Sequence, residues 1–161
     1  MARRLAVVFA AALLAAGPVA AQQSGEDRYV GYYYPAPTST EVFESKLSTL
    51  TGMDRAQRVQ FTTIMAQGTL QGSYRFPYAV FVKGGAADRM IIVGLQPGEL
   101  STIYRIRAVL ANMTSQARLS TFFQERTIAE DSTFFDLLKM LGFRSITITD
   151  GDKLTHQVTI K

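Results

Sequence analysis

Two short, almost unbroken apolar runs, Tyr78-Ala79-Val80-Phe81-Val82 and Met90-Ile91-Ile92-Val93-Gly94-Leu95, constrain this chain most. Each is short and rich in β-branched or aromatic residues, so each predicts a strand. Neither alternates apolar with polar, which predicts strands buried on both faces. Gly84-Gly85-Ala86-Ala87-Asp88 joins them as a hairpin loop, and Pro97-Gly98 marks the exit.

Helical periodicity follows. Ile103, Ile106, Leu110, Met113 and Ala117 recur at helical spacing, predicting a helix over about 100–118. A second helix is predicted over about 132–141, capped by Asp131 or Ser132. Phe134, Leu137, Leu138 and Leu141 form its stripe, with Lys139 near its C-terminal dipole. Gly142 is the expected left-handed stop, with Phe143 folding back on the last turn. Beyond it, Ile146 and Ile148 alternate with threonines, as do Leu154, His156, Val158 and Ile160 with polar residues. The two apolar sets share one face only if the connecting loop has an odd number of residues. A loop over 150–152 pairs Ile148 with Leu154 and Ile146 with His156, placing His156 in the packing layer.

The remaining segments are less marked. Thr38-Ser39-Thr40-Glu41 fits a capping box, and Phe43, Leu47 and Leu50 follow at helical spacing, predicting a short helix over 38–50. Residues 55–65 read either way. Val59-Gln60-Phe61-Thr62-Thr63 alternates and favours a strand, whereas the flanking residues suit a helix. The sum is a single α+β domain over 38–161: a mainly antiparallel sheet of four or five strands covered by two or three helices, with an α/β sandwich as the alternative.

The N-terminus bears on compartment. Arg3 and Arg4 precede an apolar run from Leu5 to Ala16, Gly17-Pro18 breaks it, and small residues lead to Gln22. This is the pattern of a secretory signal peptide over 1–21, and the run is short for a membrane span. The expectation is a periplasmic or secreted protein with no stable membrane insertion after cleavage. Without Arg3 and Arg4 the 17 basic residues fall to 15 against 13 acidic ones, a net charge of +2. That is too little to argue for nucleic acid. There is no cysteine, so neither disulfides nor thiolate metal sites arise, and the one histidine, His156, makes no multi-histidine site. No cofactor is expected.

Residues 22–37 form a leader in which Tyr32, Tyr33 and Tyr34 precede Pro35 and Pro37, which impose an extended path. It either wraps the domain or presents a recognition segment for a protein or glycan. Arg105, beside Tyr104 near the start of the long helix, is a candidate anion contact. Glu130-Asp131 and Asp150-Gly151-Asp152 are explained by a helix cap and a turn. Catalysis by His156 needs a serine and a carboxylate brought from elsewhere in the fold, since no Gly-x-Ser-x-Gly elbow exists.

Residues 82–90, Val-Lys-Gly-Gly-Ala-Ala-Asp-Arg-Met, resemble the nucleotide-binding loop of the molybdopterin-guanine dinucleotide synthesis proteins. That loop reads roughly apolar-x-Gly-Gly-x-Ser-x-Arg-Met-Gly with a lysine shortly after. Gly84, Gly85, Arg89 and Met90 match in spacing, and the resemblance implies a phosphate loop built on Gly84, Gly85 and Arg89. Ala87 stands at the serine and Ile91 at the next glycine, no lysine follows, and a strand rather than a helix comes next. Tyr32-Tyr33-Tyr34-Pro35, the stretch from Phe134 to Phe143 and Thr155-His156-Gln157-Val158 resemble an uncharacterised exported proteobacterial family. Some of its members carry the label molybdopterin-guanine dinucleotide biosynthesis protein A. No cysteine, a single histidine, no nucleophile motif and acidic pairs with structural explanations favour an exported soluble binding or accessory protein without catalytic activity, with a protein, glycan or small molecule as partner. The alternatives are nucleotidyltransfer through residues 82–90 or a hydrolase using His156.

Overall fold

The computed structural model describes residues 36–71, 78–124 and 132–161. The expected signal peptide, Tyr32, Tyr33, Tyr34 and the capping candidate Asp131 lie outside them. The element order is β1 (Ser39–Phe43), α1 (Arg55–Gln71), β2 (Tyr78–Lys83), β3 (Arg89–Gly94), α2 (Ile103–Leu119), α3 (Thr121–Gln124), α4 (Phe134–Met140), β4 (Ser145–Thr149) and β5 (Thr155–Ile160). The strands form one five-stranded sheet in the order β1-β5-β4-β3-β2. The protein is α+β, with four helices among the described residues.

The sheet is mixed rather than mainly antiparallel. The hairpins β2–β3 and β4–β5 are antiparallel, whereas β3–β4 and β1–β5 are parallel. The physical reason is connectivity. The chain leaves β3 through α2, α3 and α4 before returning as β4, and such a crossover lays strands parallel. β2 is one of the two sheet edges, which corrects the expectation of burial on both its faces: Phe81 is 53% exposed. β3, one strand in, buries Met90, Ile91 and Ile92.

Register sorts the side chains into two faces. Val80, Ile92, Ile148, His156 and Ser39 form one row across the sheet; Phe81, Ile91, Thr147, Gln157 and Thr40 form the next, on the opposite face. The core lies on the first face, where Met90, Ile92, Ile146, Ile148, Val158 and Ile160 meet Ile106 and Met113 of α2 and Leu137 and Leu138 of α4. The terminal hairpin therefore faces as its alternation predicts. Its register is two residues longer: Ile148 pairs with His156 and Ile146 with Val158. The loop spans residues 150–154, still an odd number. Asp150 stabilises it, its Oδ1 accepting the N–H groups of Asp152, Lys153 and Leu154, each at 2.9 Å. That side chain replaces the glycine a tighter loop needs.

Residues 38–50 are not a helix. Residues 39–43 are strand β1, and the rest is an irregular strap. Thr38 is drawn to β5 because its hydroxyl and N–H both bond the Thr155 carbonyl and its oxygen accepts the Thr155 N–H. Phe43 packs on Phe135 of α4 with ring centroids 4.9 Å apart. Long-range pairing overrides the local capping pattern. The strap is then pinned to α4, since the Ser45 hydroxyl donates to Asp136 at 2.6 Å and Leu50 N–H to the Met140 carbonyl at 2.9 Å.

Residues 55–65 are helix, within α1. Asp54 and Gln57 cap it reciprocally, each side chain accepting the other's backbone N–H. The threonines that suggested a strand instead fold their hydroxyls back, Thr62 onto Arg58 and Thr63 onto Val59. α2 starts at the Thr102 cap, which accepts the Arg105 N–H. α4 is capped by Thr133, not Ser132, because Asp136 completes a capping box with it. Gly142 ends α4 at φ +78, as expected. Phe143 N–H reaches the Leu138 carbonyl and Gly142 N–H that of Lys139, a Schellman closure that turns buried Phe143 onto the core.

Candidate functional site

α1 packs against β2, while α2 packs against α4. Between the two pairs an apolar groove of ≈ 410 Å³ remains open. Its floor is Tyr78, Met113, Ala117, Phe134, Leu137 and Leu141. Phe61, Met65 and Gly68 of α1 form one wall, Phe122 of α3 lies opposite, and Ile64, 60% exposed, stands at the mouth. Polar groups are sparse, with Gln116 and Ser120 among the lining residues. Burial pushes the Tyr78 hydroxyl up from its ordinary value, so it remains a neutral phenol. This is the composition of a site that holds an apolar body and offers few polar anchors.

His156 stands in a second arrangement, built by the parallel pairing of β1 with β5. Its Nδ1 lies 3.0 Å from the Ser39 hydroxyl, and its Nε2 lies 3.4 Å from Glu41 Oε2. The expected packing position is correct, since His156 is 7% exposed. The serine and carboxylate that catalysis would need are also present, from the segment read as a helix. With Glu41 accepting from Nε2–H, Nδ1 is left to accept the Ser39 proton.

The other sequence candidates do not join either arrangement. Arg105 is exposed and donates to the Gly98 carbonyl, tying α2 to the loop before it. Gly84 has φ +92, as a tight turn requires, but a side chain there would meet Arg89 Nη2 and Asp88 Oδ1, each at 3.2 Å. The side chains of Asp88 and Arg89 thus occupy the space over the glycine that a phosphate loop keeps open. β3 follows that loop, so no helix opens directly after it. Among the described residues no cluster of three histidine, aspartate or glutamate side chains is placed to hold a metal ion, and no helix is long and apolar enough to cross a membrane.

Sequence reasoning missed the groove, because its lining residues read as ordinary core. It missed Ser39 and Glu41 because their strand was read as a helix. It also missed Arg58, which is buried against the strap and the β2–β3 loop. The one available signal was the Asp54-Arg55-Ala56-Gln57 capping box, which puts Arg58, Phe61, Thr62 and Met65 on one helical face. No known protein family, curated protein or solved structure matches this chain.

Proposed function

We propose that this is an exported binding protein without catalytic activity that takes a small apolar molecule into the groove between α1, α2 and α4. The groove carries this reading. Its ≈ 410 Å³ falls within the range of small-molecule sites, about 300–1,000 Å³. Export rests on the signal-peptide pattern of residues 1–21. Of the partner classes open to the sequence, protein, glycan or small molecule, an apolar lining with few polar groups suits the last.

Gly68 provides the test. It lines the groove, and a Cβ added there meets nothing within 4 Å. Gly68→Leu therefore fills the groove without removing any packing, and it improves helix propensity. N-phenyl-1-naphthylamine should bind the folded protein saturably, with fluorescence enhancement. Gly68→Leu should weaken that binding at least tenfold while keeping or raising Tm. Absence of saturable binding, or equal binding by Gly68→Leu, removes the reading.

The contacts of His156 support one second reading, a hydrolase. Ser39 Oγ would attack an acyl carbonyl and pass its proton to His156 Nδ1, which would return it to the leaving group, with Glu41 orienting the ring. A single fluorophosphonate adduct on Ser39, abolished in His156→Gln, would establish it. An unmodified mass would exclude it. Nucleotidyltransfer through Gly84, Gly85 and Arg89 has less support, because side chains fill the space over Gly84.

A further inference from the structure

At the end of the sheet where β3 and β4 begin, a second cavity of ≈ 320 Å³ lies between the strap, α1, the β2–β3 loop and the end of α4. It is polar. Arg58, Lys139 and Arg144 line it with one carboxylate, Asp88, leaving an excess of positive charge.

Several of its acceptors are committed. The Ala86 carbonyl takes Arg58 Nε at 3.1 Å and Nη2 at 2.9 Å. The Leu141 carbonyl takes Arg58 Nη1, that of Lys139 takes the Thr49 hydroxyl, and that of Met140 takes Leu50 N–H. The exposed negative end of α4 is therefore already satisfied. Asp88 is engaged by Arg144, whose Nε lies 3.1 Å from Oδ2.

The donors are not exhausted. Among the described residues Arg58, only 8% exposed, bonds carbonyls alone, through four N–H···O contacts, and its fifth N–H has no partner there. A buried guanidinium without a carboxylate leaves a charge that an anion would compensate. The Lys139 ammonium has no hydrogen-bond or ion-pair partner among the described residues.

We propose that this cavity binds a small phosphate-class oxyanion, as inorganic phosphate or as the head of a phosphomonoester. Lys139 and Arg144 supply the mobile charges and Arg58 the fixed one. The site uses side chains from α1 and from the α4–β4 junction and owes nothing to the glycine-loop resemblance beside it. It is independent of the apolar groove.

The test is thermal melting of the full protein against inorganic phosphate and against glycerol phosphate, with sodium chloride at matched ionic strength. A saturable rise in Tm with phosphate beyond that with chloride is expected. Lys139→Gln and Arg144→Gln should each weaken the apparent affinity about tenfold, the loss of one charge-assisted contact. Neither residue is buried, so both variants should fold, and Gly68→Leu should leave the effect unchanged. Tighter binding of glycerol phosphate assigns the ester, and equal binding assigns the free anion. A response no larger than that to chloride, or one unchanged in Lys139→Gln, overturns the proposal.

Discussion

Gly142→Ala tests whether the Arg58 guanidinium and the end of α4 are locked together. Two costs arise at this position. Gly142 has φ +78, a left-handed conformation that costs an L-residue about 1–2 kcal/mol, partly offset by the entropy alanine removes from the unfolded chain. A Cβ there would also sit 2.9 Å from Arg58 Nη1 and 3.2 Å from Thr49 Cγ2. The guanidinium has little freedom to retreat, since its other nitrogens are held by the Ala86 carbonyl. Displacing Nη1 breaks its bond to Leu141, worth about 1.5–3 kcal/mol for a charged donor. The expected total is about 3–4 kcal/mol. Gly52 is the internal control, with φ +84 and nothing within 4 Å of its added Cβ. Gly52→Ala should cost only the backbone part, about 1 kcal/mol. Urea denaturation of the two variants should therefore differ by about 2 kcal/mol, or roughly 6–10 °C in Tm, at an unchanged m-value. If they agree within about 0.5 kcal/mol, Arg58 moves freely and the clamp does not exist.

Two further outcomes follow from polar side chains that hold irregular segments. Asp136 accepts from the Thr133 N–H and hydroxyl, both at 2.8 Å, and from Ser45, so Asp136→Ala should cost about 2–4 kcal/mol in chemical denaturation. It should also raise amide exchange across residues 44–50; unchanged exchange there would show that Ser45 contributes nothing to the strap. Burial pulls the Asp150 carboxyl up, but the N–H groups of Asp152, Leu154 and Lys153, with its own, outweigh this and hold it below its ordinary value. A depressed folded pKa stabilises above the unfolded value of about 3.9 and loses that contribution as pH falls through the folded one. Asp150→Asn should thus lower stability by up to about 1 kcal/mol at pH 7 and flatten its decline below about pH 4, measured by denaturation across pH; an unaltered acid limb would show that the loop does not need the charge.

Legibility followed how local the determining forces are. The β2–β3 hairpin reads from apolar runs and glycines within about a dozen residues, and α4 carries its apolar stripe and Gly142 stop in one short segment, though its cap is Thr133 rather than the neighbouring Asp131 or Ser132. β1 does not read, because Thr38-Ser39-Thr40-Glu41 matches a helix capping box and only pairing with β5 overrides it. α1 reads ambiguously because its threonines favour strands in isolation, and only hydroxyl back-bonding and the packing of Phe61 on Phe143 decide it. The terminal hairpin reads correctly in facing but not in register, since its loop is set by one carboxylate rather than a glycine. The groove's lining cannot be told from core in sequence, because only the splay of the helices leaves Met65 and Phe122 facing open space.

The parallel pairing of β1 with β5 carries a consequence for when this domain can form. Ser39 and His156 are 117 residues apart in the chain, so β1, at one edge of the sheet, has no partner until β5 has been made. Such a pairing places a large loop-closure cost late in folding. During synthesis, residues 39–43 and the strap behind them stay unpaired while β2, β3 and the helices emerge. For the exported chain proposed above, that order of assembly helps keep the polypeptide threadable until β5 arrives on the far side of the membrane.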